Sequence, residues 1–491
     1  MNDLINTLID DVGPGMMSST AYDTAWVARM GDAQEKLSEQ AMDWISSHQL
    51  PGGSWGALAP VYYHDRIVST LSAMICLLYK GHRAQNQKQI SLGLQALEHI
   101  CSDASIGLQA DPNGATIGFE MIAPTLVAEA EKLGIIKKNG GYILMHLSQL
   151  RKNKLSKIRG NLINKNTTMA FSAEMAGIDG QHMLDIEHLQ EANGSVGHSP
   201  SATAYFSLYV NGDDKDAVNY LHQTVRKDGG FPNVAPFDAF EIAWTLWNLQ
   251  LIPGFEVTPR IKSLLDRLAN AWQPSRGIGF ATEYSVKDSD MSSFVFDTLL
   301  RYGYKLDIES ILAYEENDYF RCYPLEVDPS VSANIHVLGA LRQAGFESSQ
   351  PSVLKILRFL KQRKGENSFW LDKWHSSPYY TTAHAIMVCA GYVDGLVTDS
   401  VDWILSSQHP NGAWGTYLST AEETAYAIQA LWIWNQNSGH IDAAVIKRGV
   451  EWLKEHMDGP YPPLWIGKCL YSPNLVIRSA VISAMTLGKY L

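Results

Sequence analysis

A chain of 491 residues is long enough for about two to three domains of ordinary size, which excludes a peptide hormone or a lone binding module. With 46% hydrophobic and 18% charged residues it can bury a large apolar core, so neither disorder nor a collagen-like fibre fits. Its 39 basic against 51 acidic residues leave a formal charge of -12, so no global field draws phosphate backbones or anionic lipid, and no nucleic-acid partner is expected.

The five cysteines, Cys76, Cys101, Cys322, Cys389 and Cys469, are odd in number and far apart, with no Cys-x-x-Cys pair, which points to a reducing compartment. The opening MNDLINTLIDDV carries acidic residues where a secretory signal carries basic ones. No apolar run reaches the roughly 18 residues a membrane span needs. A cytoplasmic protein without an integral span is the expectation.

In chain order, TAYDTAWVARM (20–30) reads as an apolar helix, and DWISSHQLPGGSWG (43–56) as a helix end running into a tight turn closed by Gln49 and permitted by Gly53. ALEHICSD (96–103) is amphipathic, while SATAYFSLYV (201–210) and FEIAWTLWNL (240–249) are again apolar at helical spacing. QLIPGFEVTP (250–259) reads as a break. Beyond it VKDSDMSSFVFDTLLRYGY (286–304) opens on two aspartates. VLKILRFLKQRK (353–364) has a charged outer face, and TTAHAIMVCA (381–390) and TAEETAYAIQALW (420–432) return to the apolar type. Between the last two, DWILSSQHPNGAWG (402–415) repeats the turn of 43–56 in register, with Gln408, Gly412 and Trp414 for Gln49, Gly53 and Trp55. Strand signals are weak throughout. The pattern predicts an all-α protein of two related α/α barrels, apolar helices inside and amphipathic ones outside.

The Gln-x-x-x-Gly-x-Trp turns resemble the QW motif of triterpene and class II diterpene cyclases. SSTAYDTAWVA, GFEMIAPTL, NGSVGHSPSATAYF, DKWH and PLWIGKCLY extend the resemblance over nearly the whole chain. It is closest to compact bacterial halimadienyl (tuberculosinyl) diphosphate synthases. The resemblance implies a β-γ didomain architecture, with β at 1–30 plus 267–491 and γ at 31–266. No class I α domain is implied: Asp-Asp-x-x-Asp is absent, and DDKD at 213–216 has the wrong spacing.

An aspartate just before a helix is ordinarily an N-cap, and a lone histidine on an apolar helix ordinarily a core residue. The resemblance gives both another meaning. Asp288 and Asp290 match the Asp-x-Asp-Asp or Asp-x-Asp-Thr-Thr signature, whose middle aspartic acid, here Asp290, protonates a terminal alkene. An isolated alkene is a very poor base, so its acid must be neutral at rest and well stabilised once ionised. Repulsion from an Asp288 carboxylate would serve the first need and a positioned donor the second. His336 aligns with the histidine that partners the acid in squalene-hopene cyclase. Met291 departs from the signature, which has Asp or Thr there.

By the same resemblance Lys373 and Lys165 contact a substrate diphosphate, and Mg2+ accompanies it through an acidic stretch in which only Asp111 and Glu120 stand here, leaving the metal ligands unassigned. Trp370, Trp374, Tyr379 and Tyr380 are candidates for aromatic faces that stabilise a cation. Asn233 matches an asparagine that helps hold a deprotonating water in plant copalyl diphosphate synthases, while Phe171 stands where its histidine partner would be. Loss of half that pair suggests a cation that rearranges before quenching. The implied reaction is cyclisation of geranylgeranyl diphosphate to a halimadienyl, clerodienyl or copalyl diphosphate, with a downstream phosphatase or class I terpene synthase as partner. Farnesyl diphosphate, a prenylated aromatic without diphosphate, or silent isoprenoid binding are the competing readings. Protein prenyltransferase subunits also use α/α barrels, but this sequence shows no convincing Asp, Cys and His zinc set.

Overall fold

The computed structural model describes residues 2–15, 17–79, 84–110, 116–137, 162–324, 326 and 328–490. Helices dominate. Among the described residues, the α-helices of six residues or more are α1 (Asn2–Asp11), α2 (Ala21–Ala28), α3 (Glu35–Ser47), α4 (Tyr63–Tyr79), α5 (Ala84–Ala110), α6 (Phe119–Lys132), α7 (Pro200–Tyr205), α8 (Lys215–Thr224), α9 (Asp238–Gln250) and α10 (Pro259–Ala271). The chain continues with α11 (Ser289–Arg301), α12 (Val331–Gln343), α13 (Pro351–Arg363), α14 (Pro378–Cys389), α15 (Thr398–Ser406), α16 (Ala421–Asn437), α17 (Ala443–His456) and α18 (Asn474–Leu487). Strand is confined, among the described residues, to short antiparallel pairs: Ser19–Thr20 with Phe231–Pro232, and Trp465–Ile466 with Leu470–Tyr471.

The chain divides into two compact units: residues 1–16, 237–462 and 472–491 form the first, and residues 17–236 with 463–471 the second. These limits differ from the expected 30/31 and 266/267. TAYDTAWVARM, expected with the first barrel, forms α2, which packs on α3, α4 and α7 inside the second unit. FEIAWTLWNL, expected in the inserted barrel, forms α9, which packs on α11 and α18 of the first. Both helices are buried on nearly every side, so their sequences match an inner position in either unit, and only packing partners decide. PLWIGKCLY also leaves the first unit, as a hairpin of the second.

In the first unit the mostly buried helices close a ring, α9 on α11, α11 on α12, α12 on α14, α14 on α16, α16 on α18 and α18 back on α9. The amphipathic α10, α13, α15 and α17 pack outside α9, α12, α14 and α16. In the second unit α2, α4, α6, the 3-10 segment Thr168–Ala176 and α7 contact one another in the same cyclic way, with α3, α5 and α8 outside.

The repeated turn fastens each ring. Trp414 is fully buried; its Nε1–H donates to the Ile404 carbonyl at 2.8 Å and its backbone N–H to Thr424 Oγ1 at 3.0 Å, tying the end of α15 to the start of α16. The Gln408 amide donates to Gly412 and to Val445, closing its own turn and holding the next outer helix. Trp55 and Gln49 repeat every bond, to Ile45, Thr70, Gly53 and Gln89. A copy the sequence pattern hides sits at Trp370, whose Nε1–H and N–H go to Leu360 and Thr382, with Lys364 replacing glutamine and donating to Leu396. Each such bond contributes about 1 kcal/mol net.

Gly412 has φ +90, and a Cβ there would lie 2.8 Å from the Arg448 carbonyl oxygen, whereas Gly303 at φ +85 faces open space. Gly412→Ala should therefore be more destabilising than Gly303→Ala, by about 1 kcal/mol or more, in urea titrations followed by circular dichroism. Equal losses would show that the close approach at the turn is immaterial.

Candidate active site

Asp288 and Asp290 open α11. Asp288 is the N-cap: extended at φ -140, it accepts the Met291 N–H at 2.7 Å, so the ordinary capping reading holds for this aspartate. Asp290 lies in the first turn, and its Oδ1 is 2.5 Å from Nδ1 of His336 on α12, the adjacent inner helix. The His336 side chain is 3% exposed and that of Asp290 17%, so the pair is sheltered with the acid at its more open end. Its aromatic surroundings are Phe294, Trp244 and Tyr380, with ring centroids 5.0, 5.7 and 6.5 Å from the imidazole.

Burial first, and then repulsion from Asp290, push the Asp288 carboxyl well above the usual carboxylate range. Its Oδ2 is buried and makes no hydrogen bond. The expectation was of an Asp288 carboxylate acting on Asp290. Asp288 is the more deeply buried of the two, and the repulsion between them opposes simultaneous ionisation of both. Met291 puts its backbone N–H, rather than a polar side chain, into this corner.

The start of α12 is held by Asp372, which accepts from the N–H groups of Val331 and Ser332 at 2.7 and 3.0 Å and from the Ser330 and Ser332 hydroxyls at 2.9 Å. A carboxylate on a helix N-terminus is favourable twice, through the hydrogen bonds and the dipole. Lys373, next to it, is paired with Glu326 and donates to the Asp328 carbonyl at 2.6 Å. Burial lowers the Lys373 pKa, but Glu326, Cys322 and Asp372 together outweigh it and the net shift is upward.

The four candidate aromatics separate. Tyr380 faces inward among His336, His384 and His375. Trp374 lies against Tyr323 and beside the Lys373 ammonium, its Nε1–H buried without a partner. Trp370 and Tyr379 do not line the site: Trp370 is consumed in the turn described above, and Tyr379 packs on Trp403 of the outer helix α15 at 4.7 Å. Neighbouring residues on one helix point to opposite layers, which a motif match does not resolve.

The remaining candidates are in the second unit. Asn233 is fully buried, donating to Asp23 Oδ2 at 2.8 Å and accepting the Lys468 N–H at 3.1 Å. Phe171 presents its ring 4.5 Å from the Lys468 ammonium, which donates to Glu174, Ser199 and Ser201 at 2.6 to 2.7 Å. The sequence reading missed Lys468, because it lies 235 residues from Asn233 and no spacing links them. Lys165 is half-buried, its N–H bonded to the His188 carbonyl. Glu120 is in the first turn of α6. Asp111 lies outside the described residues. Among the described residues no group of three or more His, Cys, Asp and Glu is arranged to hold a metal ion. A single carboxylate such as Glu120 is compatible with Mg2+ carried mainly by diphosphate oxygens and water. DDKD is structural, since Asp214 caps α8.

Fold and site together define a class II terpene cyclase. The squalene-hopene cyclase C-terminal domain family matches residues 323–465, the stretch holding His336, DKWH and the second copy of the turn. The type B diterpene cyclase of Mycobacterium tuberculosis is 46% identical over 479 residues, 96% of either chain. An ent-copalyl diphosphate synthase of Streptomyces sp. (strain KO-3988) is 28% identical over all of this chain and 96% of its own length. The solved ent-copalyl diphosphate synthase of Streptomyces platensis superposes with a TM-score of 0.80 at 26% identity, over 99% of this chain and 98% of that one. The chain belongs to the class II diterpene cyclase family.

A carboxyl whose pKa is raised on folding stabilises the folded state below its unfolded value and loses that contribution as pH rises. Asparagine keeps the cap but removes the titration. The stability of the native chain relative to Asp288→Asn should therefore decline as pH increases from about 4 towards neutrality. Parallel urea midpoints across that range would contradict the assignment.

Proposed function

We propose that the protein protonates the terminal alkene of geranylgeranyl diphosphate through Asp290, closes the chain to a bicyclic cation, and releases a proton with the diphosphate retained. The Asp290–His336 hydrogen bond carries this reading. Transfer breaks the Asp290 O–H bond and forms a C–H bond at the alkene. The imidazole N–H stabilises the carboxylate left behind, and the surrounding ring faces favour the carbocation.

Lys373 and Lys165 are assigned to the diphosphate, with Mg2+ and Glu120 neutralising its charge. Lys373 exchanges Glu326 for the substrate. Asn233, already bonded to Asp23 and Lys468, and Phe171, carrying no base, support a late quench and hence a halimadienyl or clerodienyl skeleton. The four described cysteine side chains are free and buried, in keeping with a cytoplasmic setting. Among the described residues no helix is long and apolar enough to cross a membrane. A retained diphosphate calls for a downstream phosphatase or class I terpene synthase. A second reading, a prenylated aromatic without diphosphate, is favoured only by the Lys373–Glu326 pair, since a lysine already neutralised does not demand an anionic head group.

Incubation with geranylgeranyl and farnesyl diphosphates plus Mg2+, then phosphatase treatment and mass spectrometry, tests the reading. Magnetic resonance of the alcohol tests the skeleton, and an unrearranged copalyl product would count against a late quench. Asp290→Asn should lose about three orders of magnitude in kcat with unchanged circular dichroism. Turnover by that variant would refute the acid. Lys373→Ala should raise KM for geranylgeranyl diphosphate about tenfold, whereas an unchanged KM would favour the uncharged head group.

A further inference from the structure

Behind His336 lies a second imidazole to which neither the sequence reading nor the proposed chemistry gives a task. His384 on α14 is wholly buried, and its Nδ1 is 3.0 Å from His336 Nε2. Its Nε2 is buried without a hydrogen-bond partner. Trp247 stacks on it at 5.1 Å, and Trp244, Tyr380 and Tyr426 surround it at 5.0 to 5.6 Å. A histidine kept only for packing has no reason to spend its one polar contact on the partner of the acid. The titratable groups facing it are His336, with Asp290 beyond, and His375 with its partner Glu422. Burial, then His336 and His375, hold its pKa well below the ordinary value, so it is neutral at physiological pH.

A neutral imidazole has one N–H and one lone pair, so the row Asp290, His336, His384 can run in either of two directions. In one, the Asp290 O–H donates to His336 Nδ1, His336 Nε2–H to His384 Nδ1, and a bare N–H is left at His384 Nε2. The acidic hydrogen is then locked between two protein atoms and unavailable to an alkene. In the other, His384 Nδ1–H donates to His336 Nε2, His336 Nδ1–H donates to Asp290 Oδ1, and the atom left bare is a lone pair. Buried donors without acceptors are rarer than under-used acceptors, which favours the second direction.

We propose that His384 is a positioning residue: as the Nδ1–H tautomer it obliges His336 to donate to Asp290, which leaves the acidic hydrogen on the second Asp290 oxygen, free for the alkene. This rests on Asp290 being the acid. The imidazoles keep their protons throughout: the Asp290 O–H breaks, the substrate C–H forms, the carboxylate is held by His336, and a proton from solvent restores Asp290 between turnovers.

Nitrogen-15 magnetic resonance of the histidine-labelled full chain, with His336→Asn and His384→Asn assigning the signals, should show His336 and His384 both protonated at Nδ1 and bare at Nε2. A protonated His336 Nε2 would overturn the proposal. His384→Phe should lower kcat about 10- to 100-fold with little change in KM. His384→Asn, whose amide N–H can reach His336 Nε2, should restore most of it. Wild-type kcat in His384→Phe, or no rescue by asparagine in a folded protein, would also overturn it. If His384→Phe does not fold, the tautomer signals and the asparagine variant decide. An active Asp290→Asn would remove the underlying reading. An inactive Asp290→Asn beside an unimpaired His384→Phe would remove this inference alone.

Discussion

A carboxylic acid that must protonate an alkene needs its conjugate base stabilised at a fixed point, and in the proposed reaction the Asp290–His336 hydrogen bond is that point. The two residues are 46 positions apart and meet because α11 and α12 are neighbours in one ring. Aromatic walls keep the local dielectric low, which strengthens this bond relative to water and equally raises the cost of a second charge beside it. Asp288 is buried close by, and burial together with repulsion from Asp290 pushes its carboxyl pKa upward, which opposes that second charge. Asp372 on the α12 N-terminus, and the turn at Trp370 next to it, fix where the imidazole sits.

The acid is also one of a series. Asp23, Asp65, Glu241, Asp290 and Glu423 all occupy the first turn of an inner helix. Most are anchors. Asp65 accepts the N–H groups of Ala57 and Leu470, Glu241 those of Gly13 and Gly15, Glu423 that of Thr416, and Asp23 that of Ser201. Asp290 is bonded instead to an imidazole. On the proposed reading, a position that elsewhere ties backbone to helix is left free for chemistry, its partner an imidazole rather than a backbone amide.

In the second unit a lysine takes over where the family resemblance suggests a polar pair. Lys468 places three oxygen acceptors on its ammonium and Phe171 over its charge, so Asn233 is drawn into a closed network with Asp23. Glu174 Oε2 stays buried without a partner there. A network this occupied offers little to activate a water, which is the physical content of the proposed late quench.

The linear chain by itself determined the helical class, the layering of apolar and amphipathic helices, the turn at Gln49–Trp55 and Gln408–Trp414, and the pair of segments carrying Asp290 and His336. The first three are local patterns, set by side-chain periodicity and turn stereochemistry, whereas the segments carrying Asp290 and His336 stand out only through the family resemblance. What only the tertiary structure decided depends on which faces meet. Among these are the assignment of α2 and α9 to their units, the hidden turn in which Lys364 stands for glutamine, and the outward direction of Trp370 and Tyr379. So too are the arrival of Lys468 beside Asn233 and the placing of His384 behind His336. Residues hundreds of positions apart share no period, and an apolar helix fits any inner position. Ring closure selects the neighbour, and with it the hydrogen-bond partner of every buried polar group.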